Sequence, residues 1–152
     1  MPYISADARR ELLHEIARAA DHLSVALSDL SEAFELLDDA TAERLEDELF
    51  SPVQTAYGRV RRTHGEFARR YELPEGDFAP AVRGAPGRGV KAFLDDAARE
   101  VQEADTALAT LQDSMLPVEV GDPELRGGLA QVREMIGSFQ ARARDFGRTL
   151  GR

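Results

Sequence analysis

The sequence has no cysteine, no tryptophan, three histidines and a single lysine, Lys91, among its 152 residues. Without cysteine there is no disulfide, thiolate nucleophile, thiolate zinc site or iron–sulfur cluster. Only His14, His22 and His64 are available for imidazole chemistry. Long apolar runs are missing as well. The longest uncharged stretch, Leu49 to Gly58, is ten residues with Pro52 inside it, about half of what a membrane-spanning helix needs. Asp7, Arg9 and Arg10 interrupt the start, so no secretory signal is expected. Together these absences predict a cytoplasmic protein with no membrane contact and no cofactor.

What is there is helical periodicity. Apolar residues recur at alternating steps of four and three, the spacing that lines one helix face. From Leu12 the series runs Ile16, Ala19, Leu23, Ala26, Leu30, Ala33 and Leu37, widened by Leu13, Ala20, Leu27 and Phe34. A second series runs from Val90 through Leu94, Ala97, Val101, Ala104, Leu108 and Leu111 to Met115. A third runs from Leu125 through Leu129, Val132, Ile136, Phe139, Ala143 and Phe146 to Leu150, with Asp122 and Pro123 as a cap and first turn. Helices are therefore predicted over 5–37, 90–115 and 123–149. A fourth, over 40–71, has Leu45, Leu49, Val53, Val60, Phe67 and Tyr71 on its inner face and is expected to kink or break at Pro52. Ser51, Pro52 and Gln54 resemble a capping start, which would favour a break.

Four helices of similar length predict an all-α, up-down-up-down antiparallel four-helix bundle in a single domain. Alanines repeat at sevens, Ala19, Ala26 and Ala33, then Ala97 and Ala104, so the first and third helices should approach their neighbours closely. One connection is long. Residues 73–89 hold Pro74, Gly76, Pro80, Gly84, Pro86, Gly87 and Gly89, too many turn formers for a helix.

Charge is unevenly spread over a formal net of -9. Residues 21–50 hold ten acids and one base, whereas 51–92 hold eight bases and four acids. In an up-down-up-down bundle this would make one end acidic, around Asp38, Asp39, Glu119, Asp122 and Glu124. The other end would gather Arg69, Arg70, Arg83, Arg88, Arg142, Arg144, Arg148 and Arg152. The overall negative charge disfavours a nucleic-acid partner.

Few motifs carry chemistry. Glu11 and His14 form a Glu-x-x-His pair that resembles half of a ferritin-like di-iron site, but the heptad positions turn His14 away from the core and no second pair exists. Arg59 and His64, in an Arg-x-x-x-x-His spacing, resemble the motif of the HEPN ribonucleases, which are also helical bundles. That resemblance implies a catalytic pair in a cleft at a dimer interface. Residue 60 is valine where that motif usually has a polar residue, and the pair lies in the second helix. The run from Gly84 to Lys91 resembles a phosphate loop but lacks the following Ser or Thr, which leaves Arg83, Arg88 and Lys91 as candidates for a simpler anion site at a helix start. No metal site is expected. The preferred functional expectation is a non-enzymatic module that binds a protein partner or itself, as a homodimer. The alternative is a small-anion or nucleotide binder, or a ribonuclease, built on Arg59 and His64.

Overall fold

The computed structural model describes residues 2–76, 78 and 87–150, and every regular element among them is helical. In chain order these are α1 (Pro2–Glu35), α2 (Asp39–Leu45), a π-helical segment (Glu46–Phe50), α3 (Ser51–Arg70), α4 (Val90–Asp113), α5 (Leu116–Glu119), α6 (Pro123–Ile136) and α7 (Phe139–Leu150).

The apolar series form one core. Leu12, Ile16, Leu23 and Leu30 of α1, Val53, Val60 and Phe67 of α3, Leu94, Val101 and Leu108 of α4, and Leu125, Leu129 and Phe146 of α6 and α7 are all buried in it. The ends of the stripes depart from expectation. Phe34 and Met115 are 37% and 58% exposed, Met115 lying beyond the end of α4.

Side-chain caps fix where two helices start. Asp38 accepts a hydrogen bond from the Thr41 amide at 2.9 Å, opening α2, and Asp122 accepts from the Leu125 amide at 2.8 Å, opening α6. Pro52 neither caps nor interrupts. Phe50 and Ser51 keep helical dihedrals with no side-chain cap, and the Ser51 amide bonds to the Glu46 carbonyl, five residues back. A proline crowds the carbonyl four residues before it and lacks a donor. The wider π turn ahead of Pro52 accommodates both without ending the helical path. The helix predicted over 123–149 is the one that divides, at Gly137 and Ser138, two adjacent poor helix formers between α6 and α7.

The end of α3 is a full Schellman turn. The Leu73 amide bonds to the Ala68 carbonyl at 2.8 Å and the Glu72 amide to the Arg69 carbonyl at 3.3 Å, with Glu72 at φ 55°. This turn reverses the chain, so that Glu75, Gly76 and Phe78 run back beside α3, next to Arg69, His64 and Arg61.

Contacts set the helix directions. Along α1 and α4, Arg9 donates to the Val120 carbonyl beyond the end of α4, and His22 meets Glu100 at 2.7 Å. Those helices are antiparallel. Arg9 stacks on Tyr71, and Phe34 lies beside Phe50, so α1 and α3 are antiparallel too. Arg70 pairs with Asp122, and Arg133 with Asp105, which sets α6 antiparallel to both α3 and α4. The resulting order is up, down, down, up, with α1 and α6–α7 on one diagonal and α3 and α4 on the other. This corrects the expected up-down-up-down order. Its physical basis is the seam between α1 and α4, the most extensive helix pair in the fold, where the alanine repeats of both helices are fully buried.

The expected acidic and basic ends are corrected with it. Asp122 lies beside Arg70 at one end, while the Asp38–Asp39 turn shares the other with α7 and its arginines. Burial works to raise the Asp122 carboxyl, but hydrogen bonds from Arg70 and the Leu125 amide outweigh it and hold the group below the usual carboxylate range.

Candidate functional site

Arg59 and His64 both lie on α3, five residues apart, which at 100° per residue separates them by about 140° round the helix. His64 faces α1 and is 3% exposed, near the Leu13 carbonyl. Arg59 is on the flank toward α6, where the Thr63–Gly128 contact lies, and its buried Nε has no partner. The two side chains do not converge, so the catalytic pair implied by the HEPN resemblance is not assembled within one chain. Burial pushes the His64 imidazole below its ordinary pKa, against the weaker pull of the Leu13 carbonyl and Glu75, which favours the neutral ring. Phe78 meets it edge-on at 5.1 Å.

The other candidates are placed apart from this pair. Arg83 lies outside the described residues. Arg88 sits over the Phe93 ring, donates to the Ala92 carbonyl at 3.2 Å and faces Asp96 at 3.6 Å. Lys91 faces Asp95 at 3.8 Å. Both bases at the start of α4 are therefore balanced by acids of their own helix. Arg88 acts on Asp29, sixteen residues along α1 from the Leu13 level of His64, which puts it about 24 Å away along the bundle. Glu11 and His14 are exposed, and no group of three metal-ligating side chains occurs among the described residues.

Two concave surfaces were not legible in the sequence. The first is a groove of about 740 Å³ between the start of α4 and α7. Leu94, Ala98 and Ala143 form its floor, and Lys91 with its partner Asp95, Arg144 and Arg148 its charged, net basic rim. It exists because α6 packs on α3 while α7, past the Gly137–Ser138 break, turns toward α4 and the π segment. The second is a cleft of about 290 Å³ between α3 and Glu75, Gly76 and Phe78, lined by Arg61, Arg62, Arg69 and His64.

Comparison with protein-family models, with curated proteins and with solved structures gives no match. The chemistry of the surfaces is therefore the guide to function.

One polar group lies inside the seam itself. Asp29 is 2% exposed and its Oδ2 has no partner. Desolvation raises its pKa to about 6, with Glu100 and Glu32 adding to the shift and Arg88 and Arg99 opposing it. In the sequence Asp29 falls seven residues after His22, which was the only signal that a polar stripe runs beside the apolar one.

Proposed function

We propose that the chain is a non-enzymatic, cytoplasmic protein-interaction module whose docking surface is the α4–α7 groove. The observation that carries this reading is an apolar floor with more bases than acids at its rim, Lys91, Arg144 and Arg148 against Asp95. Those features suit an amphipathic helix with acidic flanks, which would bury apolar side chains while meeting the basic rim. A second copy docking groove to groove would bring the same basic rim against itself, so a homodimer is disfavoured relative to a different acidic partner. Phe34, Phe50 and Glu46 form a small acidic-apolar patch on the opposite side of the same end. Copies joined patch to groove would propagate rather than close.

The alternative, an enzyme or nucleotide binder using Arg59 with His64, draws no support from the placement of those two residues on separate flanks of α3.

Native mass spectrometry of gently purified protein tests the proposal, with Ala98→Arg as the variant that fills the groove. The expected result is an added protein mass in the native chain, reduced by Ala98→Arg and at about 500 mM relative to about 50 mM salt, since screening weakens charge-steered association. A bare monomer throughout, or a complex indifferent to both changes, would overturn it.

A further inference from the structure

The outward face of α3 is built in an unusual way for an exposed helix surface. Gly58, Arg62, Gly65 and Arg69 succeed one another at steps of four, three and four, forming one stripe opposite the buried stripe of Val53, Val60 and Phe67. Glycine inside a helix is costly relative to alanine. Neither glycine is explained by packing. A Cβ at Gly58 would meet nothing within 4 Å, and one at Gly65 would meet only the tip of Arg69 at an ordinary 3.5 Å. What the two glycines do leave is bare helix backbone at the floor of the 290 Å³ cleft.

The opposite wall comes from the segment returning after the Schellman turn. Gly76 approaches so closely that a Cβ there would stand 3.0 Å from the His64 ring, and Phe78 closes the side against His64. Charge converges on the space between. Arg61 is held over the Tyr57 and Phe78 rings at 5.5 and 5.3 Å, which orients its guanidinium without neutralising it. Arg62 has no hydrogen-bond or ion-pair partner among the described residues. Arg69 is bound to Glu75 at 2.9 Å, the one acid that lines the cleft among the described residues. The buried Nδ1 of His64, 97% removed from solvent with its residue, also has no partner.

We propose that this cleft binds a small phosphorylated molecule, its phosphoryl dianion held by Arg61 and Arg62 against the glycine-floored face of α3. Guanidinium forks match phosphate oxygens two at a time, which suits a dianion better than a single carboxylate. The volume is at the small end of ligand pockets, and the chain's net charge of -9 works against a long polyanion such as RNA. The site is separate from the α4–α7 groove, on the helix diagonal to α4, so either assignment can fail without the other.

Titration of the labelled chain with inorganic phosphate, and separately with a nucleoside 5′-monophosphate, followed by NMR, tests it. Saturable shifts are expected at the amides of Gly58, Gly65 and Gly76. Arg61→Gln with Arg62→Gln should raise the apparent Kd by about tenfold or more, both side chains being exposed and outside the core. Gly58→Ala should weaken binding by narrowing the floor while raising Tm, a combination that a merely structural glycine would not give. Tighter binding of the monophosphate would assign the site to a phosphoester, and equal binding to phosphate itself. Absence of saturation, shifts of the same size around Arg142, Arg144 and Arg148, or unchanged affinity in the arginine or glycine variants would overturn the proposal.

Discussion

Asp29 shows how one residue can set a pH response for the whole seam. Its carboxyl binds a proton more tightly in the folded chain, near pH 6, than in the unfolded chain, near 3.8. Folding is therefore penalised above pH 6, and the penalty fades as pH falls to 3.8 and below. Two pKa units correspond to about 3 kcal/mol. Asp29→Asn should be more stable than the native chain by up to that amount at pH 7, with the advantage shrinking toward zero below about pH 4. Urea unfolding at several pH values measures it, and a pH-independent difference would contradict the burial argument. Thr63 and Gly128 make a second local case. A Cβ at Gly128 would lie 2.3 Å from Thr63 Oγ1, so Gly128→Ala should cost about 1–3 kcal/mol by overpacking. Thr63→Ala in the same chain should recover part of that, because Thr63 Oγ1 has no hydrogen bond to lose.

At the scale of elements, periodicity located the helices because burial on one face writes a regular spacing into the sequence. Leu12 through Ala33, Leu94 through Leu111 and Leu125 through Phe146 are buried as that spacing requires. Backbone adjustments left weaker marks. Pro52 announces a disturbance but not that a π turn will absorb it, and Gly137–Ser138 carries no more warning than Gly127–Gly128, which stays helical. The α3 terminus gives a test of this scale. Glu72 occupies the left-handed position of the Schellman turn at φ 55°, where glycine avoids a steric cost of about 1–2 kcal/mol. Glu72→Gly should raise stability by about 1 kcal/mol, read as a shift in denaturation midpoint at unchanged slope. The two candidate surfaces were illegible for a related reason. Each is made by a local break or reversal, at Gly137–Ser138 and at Glu72, that brings together residues far apart on the helical wheel or in the chain.

For the whole molecule, sequence periodicity located the main helical segments but neither their subdivision nor their order, because an amphipathic stripe does not name its partner. The alanine repeats foretold that the first and third helices approach their neighbours closely, but not that they meet each other. The order makes a prediction about length. Tyr71 lies at the Arg9 level of α1 and Arg88 acts on Asp29, twenty residues and about 30 Å farther along. Deleting residues 78–87 would leave seven links between residues 71 and 88, about 25 Å at full extension. Such a chain should lose cooperative thermal unfolding, whereas an up-down-up-down bundle, with those points at one end, would tolerate the cut.

The same crossover bears on how the molecule assembles in time. The α1–α4 seam joins segments separated by most of the first two-thirds of the chain, so its contacts are non-local and cannot form until a large loop has closed. The α1–α3 pair, linked through the short turn at 36–38, α2 and the π segment, can associate first. Until α4 arrives, the alanine face of α1 stands uncovered. The most extensive interface of the finished bundle is thus the one its folding must wait for.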